Sequence, residues 1–165
     1  MSELKIAYEK ACGLGNTAAT LLQPIFLLGV RLYWGWQFAQ SGWGKLHNLE
    51  QVTGFFASLG IPFPSANAHM NALTEFIGGL LFAIGLLSRP VSLILAVTMT
   101  VAYWTADREA LFSIFSDPGK FYNADPYTFL FAALLIVLFG PGRITVDTVI
   151  CRLVSSGGNS LGTRR

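Results

Sequence analysis

The chain has 165 residues, of which 53% are hydrophobic and only 12% are charged. Soluble domains carry about a quarter charged residues, so this composition argues against a soluble domain and favours a single compact domain embedded in lipid. The net charge of +2, without a basic patch interleaved with aromatic residues, argues against a nucleic-acid-binding protein.

Four stretches with few or no charges are predicted to be transmembrane helices. A helix needs about 20 apolar residues to cross a hydrocarbon layer about 30 Å thick. Arg31 is the only charge in the first stretch, and Glu75 is the only charge in the second. The third and fourth stretches are shorter, and each begins at a proline, which the first turn of a helix accepts. The predicted spans are residues 18–40, 66–87, 90–106 and 126–140.

The connection between the first two spans contains apolar residues at near-helical spacing. They are Leu46, Leu49, Val52, Phe55, Phe56 and Leu59. This pattern predicts a short amphipathic helix in the membrane interface, although a loop packed over the bundle fits it equally well. The predicted fold class is therefore an all-α membrane protein, a four-helix transmembrane bundle with an interfacial helix between helices 1 and 2.

The remaining segments complete the predicted domain organisation. Residues 1–17 are expected to form a cytoplasmic N-terminal segment and residues 18–154 the membrane domain. Ser88, Arg89 and Pro90 are predicted to form a tight turn, which would make the second and third spans antiparallel neighbours. Residues 144–154 form an amphipathic tail, and residues 155–165 are expected to be a disordered, basic end.

The distribution of Lys and Arg predicts the orientation. With four spans, both termini lie on the same side as the Ser88–Pro90 turn. That side carries seven basic residues and the opposite side three, with Arg31 inside a span. The positive-inside rule then places both termini in the cytoplasm of a bacterial cell, in a multi-pass protein of the inner membrane.

Arg31 is the strongest single clue to a polar site. An arginine in the hydrocarbon layer costs on the order of 2.5–3.5 kcal/mol, so it should face the bundle and meet an anion or a water-filled cavity. Glu75 is the only carboxylate within a predicted span. We therefore expect the two to form a buried ion pair. Such a pair could fix the register of two helices or line a pocket for a quinone head group, an anion or protons.

Other residues near the outer end of the first span are weaker candidates for a ligand site. Trp34 belongs to an aromatic cluster typical of interface anchors. Lys45 and His47 follow it, and His69 precedes the second span. Together with Arg31 and Glu75, these residues form the candidate quinone site. No metal or haem site is predicted, because two distant histidines make a poor ligand set.

Small and sulfur-containing residues have structural explanations. Gly35 and Ala39, and likewise Gly79 and Ala83, are spaced for close helix contact in lipid. Cys12 and Cys151 belong to no metal-binding or redox motif, and we interpret them as inert thiols rather than a disulfide.

The ordered motifs resemble the DoxX family over residues 22–150. The matching positions are Arg31-Leu-Tyr-Trp-Gly35, Phe38, Gly42, Lys45-Leu46, Phe55, Phe56, Gly60-Ile61-Pro62, Glu75, Gly78-Gly79, Gly85-Leu-Leu-Ser-Arg89, Gly140-Pro-Gly-Arg143 and Asp147. The resemblance implies a four-helix inner-membrane protein related to the small subunit of thiosulfate:quinone oxidation and to thiol-stress and detoxification complexes. It also implies that Arg31, Lys45, Glu75 and Arg89 match the family's polar positions and Asp147 its carboxy-terminal acid. The predicted topology places Arg89, Arg143 and Asp147 on the cytoplasmic side.

Three functions follow as hypotheses. The first is an integral inner-membrane subunit of a quinone-linked redox or detoxification system, with quinone as its ligand. This function requires a partner that carries the electron-transferring group, because the chain offers no cofactor ligands of its own, and its catalytic residues are unknown. The expected partners are the lipid membrane and either a partner protein or a second copy in a homo-oligomer. The second is a non-enzymatic membrane anchor or assembly factor for a partner complex. The third is a small carrier for an anion or a metabolite.

Overall fold

The computed structural model describes residues 2–158, in which eight helices are joined by turns and short loops and no strand is present. The all-α prediction is therefore confirmed for this part of the chain. The helices are α1 (Ser2–His47), α2 (Leu49–Ser58), α3 (Pro64–Ile84), α4 (Ser88–Thr105), α5 (Arg108–Phe112), α6 (Pro118–Tyr122), α7 (Asp125–Phe139) and α8 (Val146–Gly158).

Four long helices enclose the apolar core. Helix α1 packs on α3, α3 on α4, α4 on α7, and α7 on α1, while α2 lies against α3. Apolar residues from all four meet in the centre, since burial removes them from contact with water or lipid and fills the space between the helices. The central cluster consists of Leu27, Phe38, Phe82, Val91, Leu95, Ala96, Met99, Ala133 and Ile136.

Glycines bring α1 and α3 into close contact. A methyl group added at Gly35 would lie 2.8 Å from the Gly79 carbonyl oxygen, and one added at Gly79 would lie 2.5 Å from the Ala39 nitrogen. Only hydrogen fits at these positions, which confirms the prediction that the small residues mediate packing. The contact also sets the register of the two antiparallel helices.

The helices differ from the predicted spans at several ends. The first span is part of a much longer helix, which contains Pro24. Residues 88–90, predicted as a turn, form the first turn of α4; the actual turn is at Gly85–Leu87, where Gly85 has a φ of +74° and Leu87 a φ of 49°. Two short helices, α5 and α6, occupy the connection to the fourth span and were not predicted.

Only one described helix is both long and apolar enough to cross a membrane by length and composition. This stretch is Tyr8–His47 within α1, and α7 is a shorter apolar helix.

At the other end of the chain, α8 continues to Gly158, so it includes the first part of the predicted disordered tail. Residues 159–165 of that tail lie outside the described residues.

Candidate functional site

Glu75 is buried in α3 and is paired with α1. Its side chain is 1% exposed, and the Lys45 Nζ atom lies 2.5 Å from its Oε1 atom. The Ser41 hydroxyl donates a 2.9 Å hydrogen bond to Oε2. Ser41 and Lys45 are one turn apart on α1, so both face the same carboxylate. Both oxygens of the buried acid are therefore satisfied by α1 side chains.

Lys45 connects this buried pair to the surface. Its Nζ atom also lies 3.3 Å from the Asn71 side-chain oxygen, and its side chain remains 30% exposed. A lysine ammonium can donate three hydrogen bonds. Two are used by Glu75 and Asn71, which leaves one donor that can be directed toward a neighbouring molecule. Lys45 is thus both a partner of the buried acid and an accessible donor.

A cavity of about 660 Å³ opens beside Lys45, between α1, α2, α3 and α4. Its walls are predominantly apolar, and α2 contributes two aromatic rings. The apolar wall includes Val52, Phe55, Phe56, Leu59, Val97 and Val101, and the polar groups at its edge include Ser41, Lys45, Gln51, Asn71 and Thr98. Pockets of roughly 300–1,000 Å³ with apolar walls and a few convergent polar groups are typical of small-molecule sites.

The chemistry of the cavity suits a flat, amphipathic molecule better than a metal ion. The apolar walls and the rings of Phe55 and Phe56 can contact a ring system or an acyl chain, while Lys45 and Asn71 supply hydrogen bonds to a polar group. Within residues 2–158, no group of three or more His, Cys, Asp or Glu side chains could hold a metal ion.

The predicted Arg31–Glu75 ion pair does not form. Arg31 and Ser41 are ten residues apart on α1, which is about 15 Å along a helix, and Glu75 lies at the level of Ser41. Arg31 instead lies at the level of Gly85: a methyl group added there would clash with its guanidinium. The close contact of α1 with α3 imposes this register, so the two buried charges lie at separate levels.

Arg31 is bound by backbone carbonyls of the α7–α8 connection. It is 1% exposed, and its guanidinium donates a 3.2 Å hydrogen bond to the Pro141 carbonyl and a 2.7 Å bond to the Ile144 carbonyl. Its Nε atom is buried and has no hydrogen-bond partner in the part of the chain that the structure describes. Arg31 lines none of the larger cavities, so the contacts indicate a structural role that holds α1 to the chain entering α8.

Asp147 joins α8 to the start of α4. Its carboxylate accepts hydrogen bonds from the backbone N–H groups of Leu87 (2.8 Å) and Ser88 (3.0 Å), and from the Ser88 hydroxyl (2.9 Å). Desolvation raises the pKa of this carboxyl, but the Ser88 and Leu87 hydrogen bonds together with the Arg31 charge outweigh it, so the pKa is lowered overall. A carboxylate here also interacts favourably with the α4 dipole.

Arg89, Arg143 and Asp147, the polar positions expected on the cytoplasmic side, lie at one end of the protein. Arg89 approaches Gly140 at the end of α7, and Gly142 lies against Pro24 and Leu27 of α1. Arg143 lines a shallow cleft beside α8.

The other candidate ligand residues lie away from the cavity. Trp34 packs edge-on against Phe129, with ring centroids 5.3 Å apart. His47 is exposed, with its Nδ1 atom 3.0 Å from the Trp43 carbonyl oxygen, and His69 is exposed near Ser65. Of the six candidates, only Lys45 lines the cavity, and Glu75 lies directly behind it.

Sequence reasoning missed Ser41 and Asn71. A signal was present, since Ser41 and Lys45 are four residues apart, as are Asn71 and Glu75, so each pair lies on one helix face. The apolar wall from α4 had no such signal, because its residues look like ordinary lipid-facing or core positions.

Comparisons with known proteins identify relatives of this chain. The DoxX family profile matches residues 26–108. An "Uncharacterized protein" of Haemophilus influenzae is 26% identical over 76% of this chain and 83% of its own length. A Bacillus subtilis protein named "Putative oxidoreductase CatD" is 29% identical over 79% of this chain and 91% of its own length. No solved structure gave a significant match. Because the family profile covers half of the sequence, the chain belongs to the DoxX family.

Proposed function

We propose that this chain crosses a bacterial inner membrane four times, through α1, α3, α4 and α7, with both termini in the cytoplasm. We further propose that its cavity binds a quinone as the membrane component of a redox or detoxification system. The single observation that carries the proposal is the accessible Lys45 amine, held by a buried carboxylate at the edge of an apolar cavity.

The outward faces of the helices support the proposed membrane placement. Large apolar side chains are exposed along all four, including Leu22, Phe26, Trp36, Ile77, Leu80, Leu93, Ile94, Trp104, Leu134 and Leu138. A soluble monomer rarely exposes contiguous apolar patches of more than a few hundred Å², because water disfavours them. Lipid would cover these faces, and α3 at 21 residues would extend about 32 Å.

The cavity supports a quinone as ligand through its size and polarity. A quinone has a flat ring with carbonyl acceptors and an apolar tail. Lys45 and Asn71 would donate hydrogen bonds to one carbonyl, and the α2 and α4 walls would cover the ring and tail. Bound quinone would supply the capacity to accept or deliver two electrons and two protons. Lys45 would hold a proton at its Nζ atom, and Glu75 would keep that ammonium in place.

The family context supports a redox role. The name of the Bacillus subtilis relative describes an oxidoreductase, and the match covers 91% of that protein. The described residues include no metal-binding cluster, so a partner protein would carry the electron-transferring group. The alternative roles, a membrane anchor or an anion carrier, would give different results when quinone binding is measured.

The test is direct binding of decylubiquinone to the purified protein in detergent. Val101→Trp places a large ring in the cavity wall, whereas Leu93→Trp places the same ring on the same helix but away from the cavity. The two side chains are similarly exposed, at 52% and 54%. We expect Val101→Trp to weaken binding at least tenfold and Leu93→Trp to leave it unchanged. Lys45→Met should weaken binding by about tenfold, the value of one charged hydrogen bond.

Three results would contradict the proposal. Equal binding by both tryptophan variants would place quinone outside the cavity. Loss of a co-purified partner in the variants, without any quinone binding by the wild type, would identify an anchor. Anion flux by the protein alone in liposomes would identify a carrier.

A further inference from the structure

A second, smaller cleft lies beside α8, at the end of the protein opposite the Lys45 cavity. Its volume is about 570 Å³, and residues from the end of α3, the α7–α8 connection and α8 line it. Two arginines, Arg143 and Arg152, stand at this cleft together with the side chains of Thr145 and Thr148. Nothing in the quinone proposal uses these groups.

The described side chains do not neutralise the charge in the cleft. Neither arginine forms an ion pair with a carboxylate whose side chain the structure describes. The nearest acid in sequence, Asp147, is occupied by the α4 N-terminus. It also points elsewhere, because five residues of helix separate Asp147 from Arg152 by about 140° around the α8 axis. The cleft is therefore a cationic site that no described carboxylate neutralises.

The apolar surface beside the cleft indicates where the anion comes from. Val149, Ile150 and Leu153 lie on one face of α8 and are 55%, 44% and 67% exposed. A helix with one exposed apolar face and arginine at its edge is typical of helices that lie in the membrane interface. Ile84 adds a further exposed apolar wall where the cleft meets α3. An anion with acyl chains would contact both the arginines and this apolar surface.

We propose that this cleft binds the head group of an acidic phospholipid. Arg143 and Arg152 bind the phosphate, the threonine side chains accept or donate hydrogen bonds at its edge, and the acyl chains lie along Ile84 and the apolar face of α8. The site anchors α8 in the cytoplasmic leaflet, where anionic lipids attract basic residues. This inference rests on the proposed membrane placement but is independent of the ligand in the Lys45 cavity.

The test compares two lipids with identical acyl chains, phosphatidylglycerol and phosphatidylcholine, by native mass spectrometry of the full chain in detergent. We expect tighter binding of phosphatidylglycerol. Arg143→Gln or Arg152→Gln should weaken it by about fivefold each, and the double variant by on the order of 25-fold, as expected for two basic residues near an anionic surface. Lys10→Gln, an exposed charge on the same side, is the matched control and should have little effect.

Each contrary result would contradict a different part of the lipid-binding proposal. Equal weakening by the double variant and by Lys10→Gln would overturn the cleft as the site. Displacement of phosphatidylglycerol by millimolar inorganic phosphate would show that free phosphate, not lipid, is the ligand, and would also overturn it. Release of the protein from membranes by alkaline carbonate would contradict the membrane placement itself. Both arginines are exposed, so the variants should fold, and their thermal unfolding would be checked alongside.

Discussion

Arg31 and Glu75 are two fully buried charges on neighbouring helices, and their surroundings differ. Backbone carbonyls bind Arg31, its Nε atom has no partner among the described residues, and it does not line the Lys45 cavity. Glu75 is bound by two side chains, those of Ser41 and Lys45, and both line the Lys45 cavity. Both residues are 1% exposed, so burial alone does not distinguish them.

The comparison shows which features of a buried charge point to function. A charge bound by backbone carbonyls fixes chain geometry, because the carbonyls cannot move independently of the fold. A charge satisfied by a partly exposed side chain can respond to a ligand. We therefore regard Arg31 as structural and the Lys45–Glu75 pair as the candidate binding site.

The largest expected effect is on stability in Arg31→Met. The change removes two charge-assisted hydrogen bonds and leaves the Pro141 and Ile144 carbonyls without this donor, so we expect a loss of about 4 kcal/mol. Unfolding in mixed micelles of increasing SDS content would measure it. Arg89→Met, an exposed arginine at the same end, is the control and should cost little.

The affinity of Arg31→Met for decylubiquinone tests whether Arg31 belongs to the binding site. At temperatures where Arg31→Met remains folded, its affinity should equal that of the wild type. A selective loss of affinity would show that the two buried charges belong to one site, and the distinction drawn between them would fail.

The next largest effect is expected in Lys45→Met. This change leaves Glu75 buried with Ser41 as its remaining partner, and breaking a buried pair by removing one member costs about 3 kcal/mol. The double variant Lys45→Met/Glu75→Gln removes the charge as well and should recover most of the lost stability. SDS unfolding of the single and double variants measures the difference.

Binding should not recover with stability. If the pair forms a ligand site, the double variant folds like the wild type but binds decylubiquinone as weakly as Lys45→Met. Recovery of both properties would mean that Lys45 affects binding only through folding.

The sequence predicted much of the fold because long apolar helices have a simple pattern. The bounds of α3, α4 and α7 lie within a few residues of the predicted spans, and the spacing of small residues predicted close helix contacts at Gly35 and at Gly79. Charges and prolines mark where such helices begin. The continuation of α1 to Ser2 was missed, because its first residues are polar and lack an apolar pattern.

The candidate site was harder to predict, because it depends on helix register. Pairing Arg31 with Glu75 assumed that two lone charges in the hydrocarbon layer must meet. The close packing at Gly35 and Gly79 instead places Arg31 beside Gly85. The carbonyls that bind it come from a connection far along the chain, and a sequence gives no direct signal for backbone acceptors.

A smaller effect is expected in Asp147→Asn, which weakens the contacts between α8 and the start of α4. The folded pKa lies below its ordinary value of 3.8, so the ionised group stabilises the fold above about pH 4 and this contribution is lost as the pH falls through the folded pKa. We expect a loss of about 1–2 kcal/mol at pH 7, the value of a helix cap.

The pH dependence distinguishes this role from a general loss of charge. The difference in thermal unfolding between Asp147→Asn and the wild type should shrink as the pH is lowered from 7 toward 3. Glu50→Gln, an exposed carboxylate in α2, should show no such dependence. A difference that stays constant with pH would contradict the assigned role of the carboxylate.

The smallest effect is expected at the surface pair Lys120–Glu109, which provides a reference for the buried pair. The atoms are 2.9 Å apart, yet the Glu109 side chain is 90% exposed, so water already solvates the charge and Lys120→Met should leave unfolding unchanged. The hydrogen bond from Lys120 lowers the pKa of Glu109, and in the variant this pKa should return toward 4.5. Carbon-13 NMR of labelled glutamate side chains would measure the return. An exposed pair with similar geometry thus shifts a titration while contributing little to stability, whereas breaking the Lys45–Glu75 pair is costly because Glu75 is left buried without its counter-charge. If Lys120→Met destabilised the protein as much as Lys45→Met, burial would not be the property that separates the two pairs.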